Sequence, residues 1–361
     1  MTDRPPLYPR RVSEPLNVFD YEALAASRLG PGAYAYYAGG ANDELTLHDN
    51  VAAYRRWQLR PRVLRDVASP TTATTVLGRE VSLPVLVAPV AYQRAAHPDG
   101  EVAMALGTRA AGTIMCLSTF ATTSPADVAA TGVDRWYQLY VPRDEGLRQE
   151  LCRQAGELGF RALVVTVDLP VSGRRERDLR TGWTVPPDLL VPTVGLQGLK
   201  PHEFVAEMSA SVTWDDVGSL AAAAGLPVIL KGILTVEDAL LALEHGAAGI
   251  VVSNHGGRQL DGVAATIDVL GEIADALEGR IEVLVDGGIR RGTDVVKALA
   301  LGASAVLAGR APLWGLAVAG EAGVRHVLEL LRAEVELALQ LIGCRSPAEV
   351  TRDHVARAPL A

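Results

Sequence analysis

Eight short runs rich in valine, isoleucine and leucine alternate with longer stretches of helical period, at residues 83–90, 113–117, 136–141, 162–168, 227–232, 249–255, 282–288 and 305–310. Near-continuous apolar runs of this length read as strands buried on both faces, and strands that alternate with helices lie parallel in one sheet. Eight is the number that closes such a sheet on itself, so the pattern predicts an α/β chain folded as a (β/α)8 barrel of the TIM type. Helix punctuation agrees. Ser124 followed by Pro125 reads as a cap and first turn, while Thr213 with Asp216 and Thr235 with Asp238 read as capping boxes. Gly112, Gly159, Gly225, Gly246 and Gly302 stand where helices should stop.

Two stretches fall outside the repeat. Residues 17–62 are helix-like over 21–28, behind a candidate Asp20 cap, and then tyrosine-rich around Tyr34, Tyr36 and Tyr37; they are predicted to cover one end of the barrel. Residues 169–211 form a long, arginine-bearing loop after strand four, and connections of that length tend to be functional or mobile. The expected organisation is one domain: a tail over 1–16, an N-terminal cap segment over 17–82, and the barrel with its C-terminal helices over 83–361.

Composition removes several function classes. The 361 residues carry 34 Lys or Arg against 42 Asp or Glu, a net charge of −8, which argues against nucleic acid as a partner. Cys116, Cys152 and Cys344 form no C-x-x-C pair, and no His cluster stands at metal-ligand spacing, so neither a disulfide framework nor a metal site is expected. No apolar leader follows the Arg- and Pro-rich start, and the longest apolar stretches fall well short of the roughly 20 residues that cross a bilayer. A cytoplasmic protein without membrane contact is the expectation.

In a barrel of this kind chemistry belongs where strands end and the following loops begin. Those ends carry Pro89 to Ala91, Ser118, Gln138 with Tyr140, Thr166 with Asp168, Lys231, Ser253 to His255, Asp286 to Gly288, and Gly309 with Arg310. Gathering so many ionisable groups around one cavity is costly unless a ligand and mutual pairing compensate. The strings DGGIR over 286–290 and GR over 309–310 combine glycines with guanidinium groups after strands seven and eight, the usual place for a phosphate. At the end of strand six, His255 and Arg258 set a potential base three residues from an anion receptor, and GRRE over 173–176 adds Arg175. Two arginines are what an acidic substrate needs.

With these residues in place, the chain resembles the FMN-dependent 2-hydroxy-acid oxidase and dehydrogenase family, which includes glycolate, lactate and hydroxymandelate oxidases. The likeness runs from about residue 21 to about 354, through YYAGG over 36–40, APVA over 88–91, HPDGE over 97–101, YQLY over 137–140, TVD over 166–168, LKG over 230–232 and SNHGGRQLD over 253–261. The resemblance implies FMN as cofactor, His255 as base, Asp168 as the carboxylate that orients it, and Tyr140 as hydrogen-bond partner of the reacting hydroxyl. It implies Arg175, Arg258 and Tyr36 on the substrate carboxylate and Lys231 beside the flavin. Pro89, Val90, Ala91, Ser118, Gln138, Thr166 and Ser253 would contact the flavin, and Asp286, Gly288, Arg290, Gly309 and Arg310 its ribityl and phosphate.

The implied reaction takes an (S)-2-hydroxy acid to the 2-oxo acid, with molecular oxygen as acceptor and hydrogen peroxide as product. Kinship also implies a homotetramer. Phe120 stands where glycolate and lactate oxidases carry Trp or Tyr, and Val90 replaces a common Thr, as in hydroxymandelate oxidases. Together with Ala91 these favour a mandelate-like or lactate-like acid over glycolate. A dehydrogenase with another acceptor and a non-redox FMN barrel isomerase remain open alternatives.

Overall fold

In the computed structural model, which describes residues 14–359, all eight predicted runs form strands: β1 (Val85–Val87), β2 (Ile114–Leu117), β3 (Asp134–Leu139), β4 (Leu163–Thr166), β5 (Val228–Ile233), β6 (Gly249–Val252), β7 (Glu282–Asp286) and β8 (Ala305–Ala308). They are parallel and neighbour one another in sequence order, with β8 against β1 closing the barrel. Six of the strands stop two or three residues short of their predicted ends, where the chain passes into the loop above, while β2 ends at Leu117 as predicted and β5 runs one residue further, to Ile233. The tail expected over 1–16 lies, as far as residue 13, outside the described residues.

Strand alternation sorts the interior into layers. Leu86, Ile114, Trp136, Val164, Ile229, Val251, Leu284 and Leu307 point inward and form one buried core. Two residues further along the strands, or four in the case of Ser118, the same parity brings Ser118, Gln138, Thr166, Lys231, Ser253 and Asp286 to the C-terminal mouth. The interior thus passes from apolar to polar in one strand repeat. At the opposite end a hairpin, Thr74–Val76 with Arg79–Val81, turns at Leu77 and Gly78, both left-handed, and sends Val76 and Val81 into the apolar layer.

Among the described residues three α-helices precede the barrel: α1 (Val18–Arg28), α2 (Pro31–Ala38) and α3 (Leu45–Ala52). The cap of α1 is Asn17, whose side chain accepts from the backbone of Phe19 and Asp20; the expected cap, Asp20, instead accepts from Leu16 N at 2.8 Å. The cap at Thr235 and the five stop glycines lie where expected. The helix expected from Thr213 begins instead at Asp216, after a turn in which Thr213 N donates to the Asp216 carboxylate at 2.8 Å.

The N-terminal segment covers the chemical end. Ala41 N donates to Gly257 O at 2.8 Å, and Asn50 exchanges amide hydrogen bonds with Asn254, each at 2.8 Å. Glu101 of the HPDGE string is fully buried and binds the loops after β1 and β2 together, accepting from Gln93 N, Thr122 N and the hydroxyls of Thr122 and Thr123 at 2.8–3.1 Å. All three cysteines are free and buried. Among the described residues no helix is long and apolar enough to cross a membrane, and no cluster of His, Cys, Asp or Glu could hold a metal.

Candidate active site

The polar mouth opens into a crevice of about 1070 Å³, counting the part open to solvent. Its walls come from the ends of β1, β2, β4, β5, β7 and β8, from Tyr140 past β3, from His255 and Arg258 past β6, and from the tyrosines of α2. Most of the predicted site residues meet here. Asp168, Gln138 and Ser253 do not line the crevice; each stands one layer behind and holds a residue that does.

His255 is the centre of the first group. Its Nδ1 lies 2.9 Å from Asp168 Oδ1 and its Nε2 3.3 Å from the Tyr140 hydroxyl. With the Nδ1 proton donated to the carboxylate, the Nε2 lone pair faces the crevice. Burial, with Lys231 and Arg175 nearby, holds the imidazole below its ordinary pKa despite the opposing pull of Asp168, so it is neutral and able to accept a proton. Burial alone would raise the Asp168 carboxyl, but His255 and Lys231 outweigh it and hold it below its ordinary value. Tyr140 is pushed up by burial and keeps its proton.

The backbone supports this geometry at two unusual points. His255 has φ +57, a left-handed conformation that an L side chain adopts only when its surroundings enforce it. Gly232, at φ +119, leaves room for Asp168: a Cβ there would come within 2.6 Å of the Asp168 Cβ. The irregular register between Lys231 and Ile233 accommodates that glycine.

Cations form the second group. Arg175 is buried, with Nε 3.3 Å from Arg258 O and Nη2 3.4 Å from Gln259 Oε1. Arg258 donates to Tyr36 O at 2.5 Å and Gly39 O at 2.9 Å, and its guanidinium lies 4.7 Å from the centre of the Tyr36 ring. Arg310 donates to Tyr37 O, Gly39 O and Gly256 O at 2.9–3.0 Å. Both guanidiniums therefore bind the carbonyl end of α2, a favourable place for cations.

The FMN-holding residues can be tested for fit. Lys231 Nζ contacts Asp286 Oδ2 at 3.0 Å and donates to Ser253 Oγ at 2.9 Å, and it stays charged because Asp286 and Asp168 outweigh its burial. Arg290 is depressed by burial, and Arg310 is pressed down to about 9 by burial and by Arg258 and Arg290. Cations that depress one another in a buried wall are what an anion would relieve. Asp286 Oδ1 and Arg290 Nε are also buried without a hydrogen-bond partner. The donor set fits a phosphate-bearing cofactor with a polar ring edge. Gly288 is explained differently from a ligand contact: a Cβ there would meet Asn50 O at 2.0 Å.

Aromatic walls were less legible. Phe120 packs against Tyr140 at 5.0 Å, Phe204 at 5.8 Å and Tyr92 at 6.1 Å between ring centres, and Trp183 stacks on Tyr36 at 4.7 Å. Trp183 and Phe204 carry no motif, and Tyr92 is marked only as the end of the PVAY run over 89–92. The only available signal was that aromatic residues are scarce, 5% of the chain, and several stand in segments flanking the strand ends.

This barrel with its buried base and cationic wall belongs to the FMN-dependent dehydrogenase family, whose model matches residues 25–357, and FMN is its cofactor. The chain is 49% identical over 349 residues to the L-lactate oxidase of Nostoc sp. (strain PCC 7120 / SAG 25.82 / UTEX 2576), covering 92% of this chain and 96% of that one. It is 48% identical over 351 residues to glycolate oxidase 3 of Arabidopsis thaliana, covering 94% and 95%. Among solved structures it resembles mandelate oxidase with (S)-4-hydroxymandelic acid, at a TM-score of 0.91 and 45% identity, covering 96% of this chain and all of that one.

Proposed function

We propose that the chain is an FMN-dependent (S)-2-hydroxy-acid oxidase that yields a 2-oxo acid and, with molecular oxygen as acceptor, hydrogen peroxide. The observation that carries this reading is the imidazole of His255, backed by Asp168 at 2.9 Å and set in one crevice with Arg175 and Arg258. An acid-binding pair beside a base is the equipment for drawing a proton from a hydroxyl held next to a carboxylate. The lactate, glycolate and mandelate oxidases among its relatives support the substrate class.

In this reading Arg175, Arg258 and Tyr36 hold the carboxylate, and Tyr140 orients the hydroxyl toward His255 Nε2. Asp168 positions the imidazole and stabilises it once protonated. Lys231, Asp286, Arg290, Gly309, Arg310, Ser118, Thr166 and the backbone over 89–91 would hold FMN, with Gln138 and Ser253 supporting them from behind. Bound FMN supplies a two-electron acceptor for the 2-carbon. The rings of Phe120 and Tyr92, with Val90, Ala91 and Val205 in the same crevice, favour an apolar side group, mandelate-like or lactate-like. A single FMN-binding domain and a homotetramer, supported by the family resemblance, complete the proposal, with a cytoplasmic location resting on the sequence alone.

Anaerobic mixing of the yellow holoenzyme with lactate, glycolate, mandelate and longer 2-hydroxy acids tests the reading. Bleaching by at least one acid, with the 2-oxo acid recovered, is expected; a panel that leaves the colour unchanged refutes it. Peroxide release on readmitting air tests the acceptor.

A further inference from the structure

The loop after β4 builds a second cavity outside the crevice. Arg174, Arg175, Lys200 and His202 line it, and Asp178 supplies its carboxylate. Arg175 and Pro201 also line the crevice itself, so the buried guanidinium stands in the wall between the two spaces. The outer cations are lightly engaged. The Arg174 side chain is 70% exposed, with Glu176 at 3.8 Å, and that glutamate is also held by Arg180 at 2.5 Å. Lys200 is exposed and makes no ion pair among the described residues, while its backbone N donates to the Glu203 carboxylate at 2.5 Å. Three permanent positive charges against one carboxylate leave this cavity net positive, in a chain whose overall charge is −8.

That contrast has a kinetic consequence. The field of the whole chain repels an anion at long range, whereas a concave cationic surface concentrates it locally. We propose that this cavity is an anion vestibule, which captures the carboxylate of the incoming 2-hydroxy acid on Arg174 and Lys200 and passes it inward to Arg175. The inference rests on the acid-oxidising reading above and assigns to this loop the capture step that precedes it.

The test uses FMN-loaded enzyme carrying R174E and K200E together, two positions that touch neither the crevice nor its base. Anaerobic stopped-flow reduction by the best acid is followed at ionic strengths of about 0.01 M and about 1 M, where charges are felt over roughly 30 Å and 3 Å. The second-order rate constant should fall about tenfold at low salt and less than about twofold at high salt. The limiting rate at saturating acid should be unchanged, and the charge-keeping pair R174K and K200R should match the wild type. Wild-type behaviour of the reversed pair at low salt, an equal loss at both salts, or a fall in the limiting rate overturns the proposal. Oxalate association, read by flavin absorbance in the same proteins, separates the two readings. If no acid bleaches the wild type, yet oxalate capture is salt-dependent there and weakened in the reversed pair, the vestibule stands and the oxidase reading fails; if oxalate capture is equal in both proteins, the vestibule fails.

Discussion

Replacing Asp168 by asparagine preserves the shape beside His255 and removes one charge. The carboxylate holds the imidazole through a single 2.9 Å hydrogen bond and has no partner at its other oxygen, so the substitution acts chiefly on His255. A hydrogen bond to a charged group contributes about 1.5–3 kcal/mol, and about 1.4 kcal/mol corresponds to a factor of ten, so the imidazole should become a roughly ten- to hundredfold weaker base. The sign with pH follows. His255 lies below its ordinary value because burial outweighs the pull of Asp168; without that pull it falls further. The acid limb of the flavin-reduction rate, expected below a pH of about 6.5 in the wild type, should move to still lower pH while the plateau drops by about ten- to a hundredfold. Anaerobic stopped-flow bleaching across pH measures both. A wild-type plateau, or a limb that moves upward, would refute the pairing as the source of basicity.

Two further substitutions probe the wall and the scaffold. Arg258→Met removes an anion receptor and should weaken oxalate binding by about ten- to a hundredfold in a flavin absorbance titration, an unchanged Kd being the contrary result. Glu101→Gln should lower stability by about 1–3 kcal/mol in urea unfolding, because one amide cannot accept from every donor now gathered on the carboxylate; an unmoved midpoint would count against that role.

The barrel was legible because apolar alternation and stop glycines are local, and each run could be read without knowing its neighbours. Polar strand ends were legible for the same reason: Lys231, Asp286 and Ser118 follow apolar residues two places earlier on the same strand. Contacts between distant segments were not. Nothing near residue 310 announces that its guanidinium will bind the carbonyls of Tyr37 and Gly39, about 270 residues away. Trp183 stacking on Tyr36 likewise joins distant segments of the chain. The misplaced α1 cap is a different case, since Asn17 and Asp20 are both competent and only the path of the entering chain decides which accepts from the first turn.

The hairpin that turns at Leu77 and Gly78 sits at the far pole from His255, and its Val76 and Val81 join a layer that contains no candidate reacting group. Stability and chemistry are thereby lodged in separate storeys of one cylinder. Remodelling the upper rim to accept a bulkier or smaller acid leaves the basement undisturbed, so attempts to redirect specificity should start from a reserve of stability that the changes themselves do not draw down.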